Sequence, residues 1–163
     1  MVVGTGVKVT FDLDFLKPTL QRKIDVLQDE LLKMPQANIV TTHVFKDGQY
    51  IRTMIVPPNT VIVGAAHKSP YKVRLEKGTI SVNLGDKIHT LTAPMELDAP
   101  AGTRRVGWVG DKELVWVDIY DNPKGCTDID EIENQLYVIP ECGLLDKRLA
   151  LANNNARLAL TEN

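Results

Sequence analysis

The stretch from Asn38 to Asp121 constrains this chain most. It is a succession of short runs rich in Val, Ile, Thr and aromatics: "NIVTTHVF", "QYIRTMIV", "TVIVGAAH", "YKVRLEKG", "TISVNL", "KIHTLT", "RRVGWV" and "LVWVDIY". Turn chemistry separates them, as "KDG", "PPN", "KSP", "GD", "PAG" and "GDK". Short strands spaced about 8–12 residues apart, with no helical period between them, exclude a parallel α/β sheet, which needs crossover helices. They predict an all-β sandwich or barrel.

Helical patterns flank this block. After a short extended start, "VKVTF", the segment "LQRKIDVLQDELLKM" places Leu20, Ile24, Leu27, Leu31 and Met34 at alternating steps of four and three. That spacing predicts a helix with a narrow apolar stripe. Pro18 suits its first turn and Pro35 stops it. The stripe can pack on its own barrel or on a neighbouring chain; Leu20, Ile24, Leu27 and Leu31 are the candidate assembly interface. Beyond Asn122 the composition changes again. "TDIDEIENQL" carries Thr127 or Asp128 in cap position with an acid three residues later, a helix start. "GLLDKRLALANNNARLAL" reads as a further helix, loosened at "NNN". The expected organisation is an N-terminal arm and helix (1–37), a β-barrel (38–121) and a helical C-terminal extension (122–163).

Composition narrows the partners. A formal net charge of −2 over 163 residues gives no reason to expect nucleic-acid binding. No apolar run approaches the roughly 20 residues of a membrane span. The start lacks the basic-then-apolar layout of a secretory leader, so synthesis in a cytosol is expected. The two cysteines, Cys126 and Cys142, lack paired spacing and read as free thiols.

The chemistry sits in "PPNTVIVGAAHKSPYKVRLEKG" (57–78) and "LTAPMELDAPAGTRRVGWV" (91–109). These two segments resemble the paired motifs of the cupins, small double-stranded β-helix or jelly-roll barrels. The first cupin motif runs Gly, His-x-His, Glu, Gly; the second runs Gly, Pro-x-Gly, His, Asn. The resemblance implies three histidines and a glutamate that point into the barrel and hold one divalent metal. Here Asn59 stands for the first Gly, a substitution that a positive-φ turn tolerates. Ala65 and His67 occupy the His-x-His positions, Tyr71 the Glu position, and Gly78 closes the motif. In the second, Pro94 replaces the leading Gly, Pro100, Ala101 and Gly102 keep the turn, Arg105 occupies the His position and Val109 the Asn position. One ligand of four remains. An imidazole, a phenol, a methyl and a guanidinium do not make a metal site, and neither metal nor any other cofactor is expected. His43 and His89 lie on other strands without paired spacing.

Strand alternation puts Ala65 and His67 on a shared face, and likewise Tyr71, Val73 and Leu75. If the cupin spacing holds, His67, Tyr71 and Arg105 converge on the barrel interior. With Arg52 from "QYIRTMIV" they form the candidate ligand pocket. Three readings stay open: a set of mutually hydrogen-bonded buried groups, a pocket for a carboxylate or phosphate anchored by Arg, or catalysis. Metal-free cupins that epimerise nucleotide-linked sugars use a His base with a carboxylate and a Tyr, and Asp98 and Asp118 are the candidate acids here. Trp108 and Trp116 can line a mouth or fill a core. Of the adjacent Arg104 and Arg105, one must point in and the other out.

A narrower resemblance follows. "LLKMPQANIVTTHVFKDGQYIRTMIVPPNTVIVGAAHK" is similar to a group of small cupin-like proteins encoded by tailed bacteriophages. It carries His43, Phe45, Gly48, Tyr50 and Arg52, then Pro57, Thr60, Gly64, His67 and Lys68, at that group's positions. The resemblance covers most of residues 30–121. It implies association with virion or tail genes and carries no activity. The expectation is a virion structural protein (tail, collar or capsid-decorating), a homo-oligomer that contacts other virion proteins and not an enzyme. The alternative is a metal-free barrel that binds or modifies a small anion such as a sugar nucleotide.

Overall fold

A computed structural model of the chain describes residues 17–84, 87–102, 104–138 and 151–152, with side chains from residue 22 onward except at 151–152. The "VKVTF" start and most of the expected last helix lie outside the described residues. Helix α1 (Lys17–Leu32) leads into β1 (Val40–Lys46), β2 (Gln49–Val56), β3 (Val61–Val63), β4 (Tyr71–Lys77), β5 (Thr79–Leu84), β6 (Lys87–Thr92), β7 (Met95–Ala99), β8 (Val106–Val109) and β9 (Leu114–Asp121). Helix α2 (Ile129–Leu136) and a short β10 (Leu151–Ala152) follow. Two five-stranded antiparallel sheets, β1-β2-β9-β4-β7 and β10-β3-β8-β5-β6, face each other. Among the described residues no helix is long and apolar enough to cross a membrane.

The local chemistry explains the joints. Asp47 and Gly48 both have positive φ (53° and 73°), and Lys46 pairs with Gln49. That is the two-residue hairpin whose twist matches its strands. Asn59 takes φ 57° in the "PPN" turn, and its N–H donates to the Gly110 carbonyl at 2.8 Å. Gly78, at φ 87°, swings the chain from β4 to β5. A Cβ there would come within 2.5 Å of the Glu113 carbonyl oxygen, so only glycine fits.

Strand alternation then sorts the faces. Tyr50, Arg52, Met54 and Val56 of β2 and Leu114, Trp116, Asp118 and Tyr120 of β9 are buried between the sheets. Ile80 and Val82 of β5 and Ile62 of β3 meet them from the other sheet. The strand β7 was not among the expected runs. "MELDA" lacks β-branched residues, and only its alternation of part-buried Met95, Leu97 and Ala99 with exposed Glu96 and Asp98 marks it.

The apolar stripe of α1 is used within the chain. Ile24, Leu27 and Leu31 are 0%, 3% and 1% exposed and pack on Val61, Val63 and Val106 at the back of the second sheet, beside Trp108. Arg104, the outward member of its pair, fastens the helix through Asp25 and Gln28. The expectation that Ile24, Leu27 and Leu31 face a neighbouring chain is therefore corrected. The outer faces of β3 and β8 are apolar and lie in the same chain, so the nearest partner takes the stripe. The Leu20 side chain lies outside the described residues.

The C-terminal extension is part of the barrel end. Asp128 caps α2 by accepting the Glu131 N–H at 3.0 Å, and Ile132 and Leu136 enter the main core. Directly after the helix, Tyr137 bridges to His67 as a short antiparallel pair. The Lys68 N–H donates to the Leu136 carbonyl and the Val138 N–H to the Ala66 carbonyl, both at 2.8 Å. Further on, Leu151–Ala152 fall inside the expected last helix but pair with β3 as β10, where an exposed sheet edge takes up their backbone groups. Cys126 is a free thiol; Cys142 lies outside the described residues.

Candidate functional site

The chain has four tyrosines, and all four converge at one end of the barrel. Tyr50 comes from β2, Tyr71 from the start of β4, Tyr120 from β9 and Tyr137 from the residue after α2. Tyr120 stacks on Tyr50 with ring centroids 5.6 Å apart and lies 5.2 Å from Tyr71. His67 stacks on Tyr71 at 4.0 Å, and Tyr137 meets the His67 ring edge-on at 5.1 Å. Phe45 extends the stack past Tyr50.

A hydrogen-bond chain threads these rings. His67 Nε2 lies 3.0 Å from Tyr120 Oη, and Tyr120 Oη lies 3.2 Å from Tyr137 Oη. Arg52 Nη1 donates to Tyr137 Oη at 3.1 Å and pairs with Asp118 Oδ2 at 3.5 Å. Asp118 Oδ1 accepts the Trp116 indole N–H at 2.7 Å. At the outer end of the stack His43 Nδ1 lies 2.7 Å from Tyr50 Oη. Burial pushes the Tyr50, Tyr71, Tyr120 and Tyr137 phenols above the ordinary value, with Asp118 adding to the effect at each. They are therefore neutral donors at neutral pH. Burial works against the Arg52 charge. The oxygens of Tyr137, Tyr120 and Asp118 outweigh it and hold that guanidinium firmly protonated.

A cavity of about 70 Å³ opens beside this network. Its polar side is Arg52, His67, Tyr71, Arg105, Asp118 and Tyr137; its apolar side includes Met54, Ile62, Ile80, Val82, Leu114 and Trp116. All four expected pocket residues, His67, Tyr71, Arg105 and Arg52, thus line one space. Of the two candidate acids, Asp118 lines it and Asp98 does not. Asp98 sits at an outward position of β7 and is exposed, because strand parity turns it away. Trp116 lines the cavity, whereas Trp108 lies under α1. Tyr120 and Tyr137 were not singled out in the sequence, and Tyr50 only as a position of the narrower resemblance, not as a pocket residue. Tyr50 and Tyr120 each stand two residues from a site residue on the same strand face, Arg52 and Asp118, which is a usable signal. Nothing local marks Tyr137.

The two sheets, their antiparallel order and the motif turns at Asn59, Gly78 and Gly102 decide the architecture. The fold is a cupin-type jelly-roll barrel. Solved structures resemble it at low identity. KdgF from Halomonas sp. is 11% identical, over 58% of this chain and 84% of that one, with a TM-score of 0.47. The Cupin_2 domain of an XRE-family transcriptional regulator from Enterobacter cloacae is 12% identical over 52% and 97%, with a TM-score of 0.46. An RmlC-like cupin from Shewanella frigidimarina is 16% identical over 53% and 85%, with a TM-score of 0.43. No family model and no curated protein matches the sequence.

The positions that hold a metal in the cupin motifs do not fit one here. Ala65 offers a methyl, the Tyr71 phenol is held protonated by burial, and Arg105 brings a fixed positive charge into the same space. Among the described residues no three His, Cys, Asp or Glu side chains group as ligands. What the site can do is donate hydrogen bonds and stabilise negative charge, from Arg52, Arg105 and neutral phenols.

Proposed function

We propose that this chain is an assembly subunit of a bacteriophage particle, a metal-free cupin-type barrel that associates with further copies of itself through the outer face of β1, β2 and β9. One observation carries the reading: the two sheets differ on their outer faces. On the second sheet α1 covers β3 and β8. The first sheet turns outward Val40 and Val44 of β1, Ile51 and Ile55 of β2, and Val115 and Ile119 of β9. The register sets them side by side, Val44 with Ile51 with Ile119, and Val40 with Ile55 with Val115.

Among the described residues no helix covers this face, and Val40 and Val44 are 49% and 47% exposed. Two aliphatic rows on a sheet face, with Thr42 and Thr53 between them, mark a protein contact. Its flank is charged and balanced: Lys72 stands opposite Asp98, and Arg74 opposite Glu96, on β4 and β7. Apolar centre and polar rim is the layout of an interface between folded subunits. Among the described residues β1 is also an edge strand with one side unpaired, so a second copy can continue the sheet. The phage particle enters from the resemblance of residues 30–121. The reading is non-catalytic.

The test is light-scattering mass measurement on the full chain, with Val44→Lys and Ile51→Lys as variants, together with mass spectrometry of purified particles. The expected result is a closed oligomer that the lysines reduce to monomer, and the protein present in particles. A monomer at high concentration that is absent from particles ends the proposal.

A further inference from the structure

The interior cavity has more positive charge and more donors than its surroundings use. Of the charged residues that line it, two are arginines and one is a carboxylate. Asp118 is already committed to Arg52 and to the Trp116 indole. Arg105 makes no ion pair among the described residues; its Nη1 donates to the Asn83 carbonyl at 3.3 Å, and it lies beside the Tyr71 phenol. The Nε atoms of Arg52 and Arg105 are both buried and both without a hydrogen-bond partner. Arg52 itself is 4% exposed. Buried guanidinium N–H groups left unpaired cost free energy, and a native site that keeps two of them has a use for them.

We infer that the cavity is a binding site for a short-chain carboxylate, held by Arg105 and Arg52 where a cupin metal site would hold a dication. The charge of the site is inverted, and so is the charge of what it takes. A guanidinium fork matches a carboxylate in geometry as well as charge. The protonated Tyr71 phenol adds a neutral donor. The wall formed by Ile80, Val82, Leu114 and Trp116 is aliphatic and aromatic, which suits a short hydrocarbon tail and gives nothing to the remaining oxygens of phosphate or sulfate. Size agrees: about 70 Å³ holds roughly five waters, so a ligand of about four to six non-hydrogen atoms fills it. A sugar nucleotide is far too large. Gly107 keeps this wall open, since a Cβ there would meet the Ile80 side chain at 2.6 Å. The site lies between the sheets and the assembly face lies outside them, so either can fail without the other.

The experiment is a titration of isotopically labelled full-length protein with acetate, propionate and butyrate, read at the two tryptophan indole N–H resonances by NMR. Phosphate, sulfate and chloride at matched ionic strength are the comparison. Trp116 lines the cavity and Trp108 does not, so one chain carries probe and control. The expected result is a saturable shift of the Trp116 resonance with propionate or butyrate, a still Trp108, and at least tenfold weaker binding in Arg105→Gln. Equal response to phosphate or sulfate overturns the carboxylate assignment. No saturable Trp116 shift in the wild-type chain overturns the site itself, whether or not the variant folds. Binding unchanged in a folded Arg105→Gln overturns the role of Arg105.

Discussion

Leu27→Ala tests where the α1 stripe belongs. Leu27 is 3% exposed, and its cluster partners are Val61 and Val63 on β3 and Val106 on β8. The change removes three carbons, at about 0.8 kcal/mol each, or about 2.4 kcal/mol of transfer free energy. β3 and β8 are hydrogen-bonded strands in the interior of their sheet and cannot move inward to fill the gap. A cavity term therefore adds, and the total comes to about 3–4 kcal/mol. For a chain of this length that lowers Tm by roughly 6–15 °C. Urea and thermal unfolding followed by circular dichroism measure it. Val26→Ala on the same helix is the control; Val26 is 52% exposed, and the change should cost under about 0.5 kcal/mol. The loss at Leu27 should also be the same at dilute and concentrated protein, since its partners are in the same chain. A loss below about 1 kcal/mol, no larger than a surface change gives, would refute the packing argument.

Other outcomes follow from the site. Asp118→Ala leaves Arg52 buried without its carboxylate and should cost about 3–5 kcal/mol; with Arg52→Met the double variant should lose clearly less than the sum, and additivity within about 0.5 kcal/mol would mean the pair is not coupled. The four phenols all titrate above their ordinary value of 10.0, so the folded state prefers them neutral and its stability falls as pH rises past that value. Tyrosinate absorbance should therefore stay absent until alkaline unfolding and then rise for all four at once; a gradual rise in folded protein would contradict the buried network. Burial, then Arg52, lowers the His43 pKa below 6.5, so the unfolded chain takes up this proton first and stability declines modestly as pH falls below that value. His43→Gln should flatten that part of the pH profile.

Much of this protein can be read along the chain, because its signals are short-range. Alternation of period two located nearly every strand, and turn residues at Asn59, Gly78 and Gly102 pinned the corners. The stepwise leucines of α1 defined a helix with one apolar face. His67, Tyr71 and Arg105 followed from motif spacing, which is itself strand parity plus turn length; Arg52 came from a separate strand run. Other facts depend on which surfaces meet after the chain has closed on itself. A stripe of leucines states that a face will be buried; it does not state whose surface buries it. Here the back of β3 and β8 was nearer than any other molecule.

Tyr137 enters the site only because α2 docks at the barrel mouth and pairs its end with residues 66–68, a contact across some seventy positions with no local period. The charge of the cavity is likewise a sum over Arg52, Arg105 and Asp118, from three elements, and so exists only once both sheets face each other. The outward aliphatic rows of the first sheet have the same origin. The outward positions of β1, β2 and β9 are each ordinary strand residues, and they become neighbours because sheet order sets them side by side, while α1 covers β3 and β8 of the other sheet.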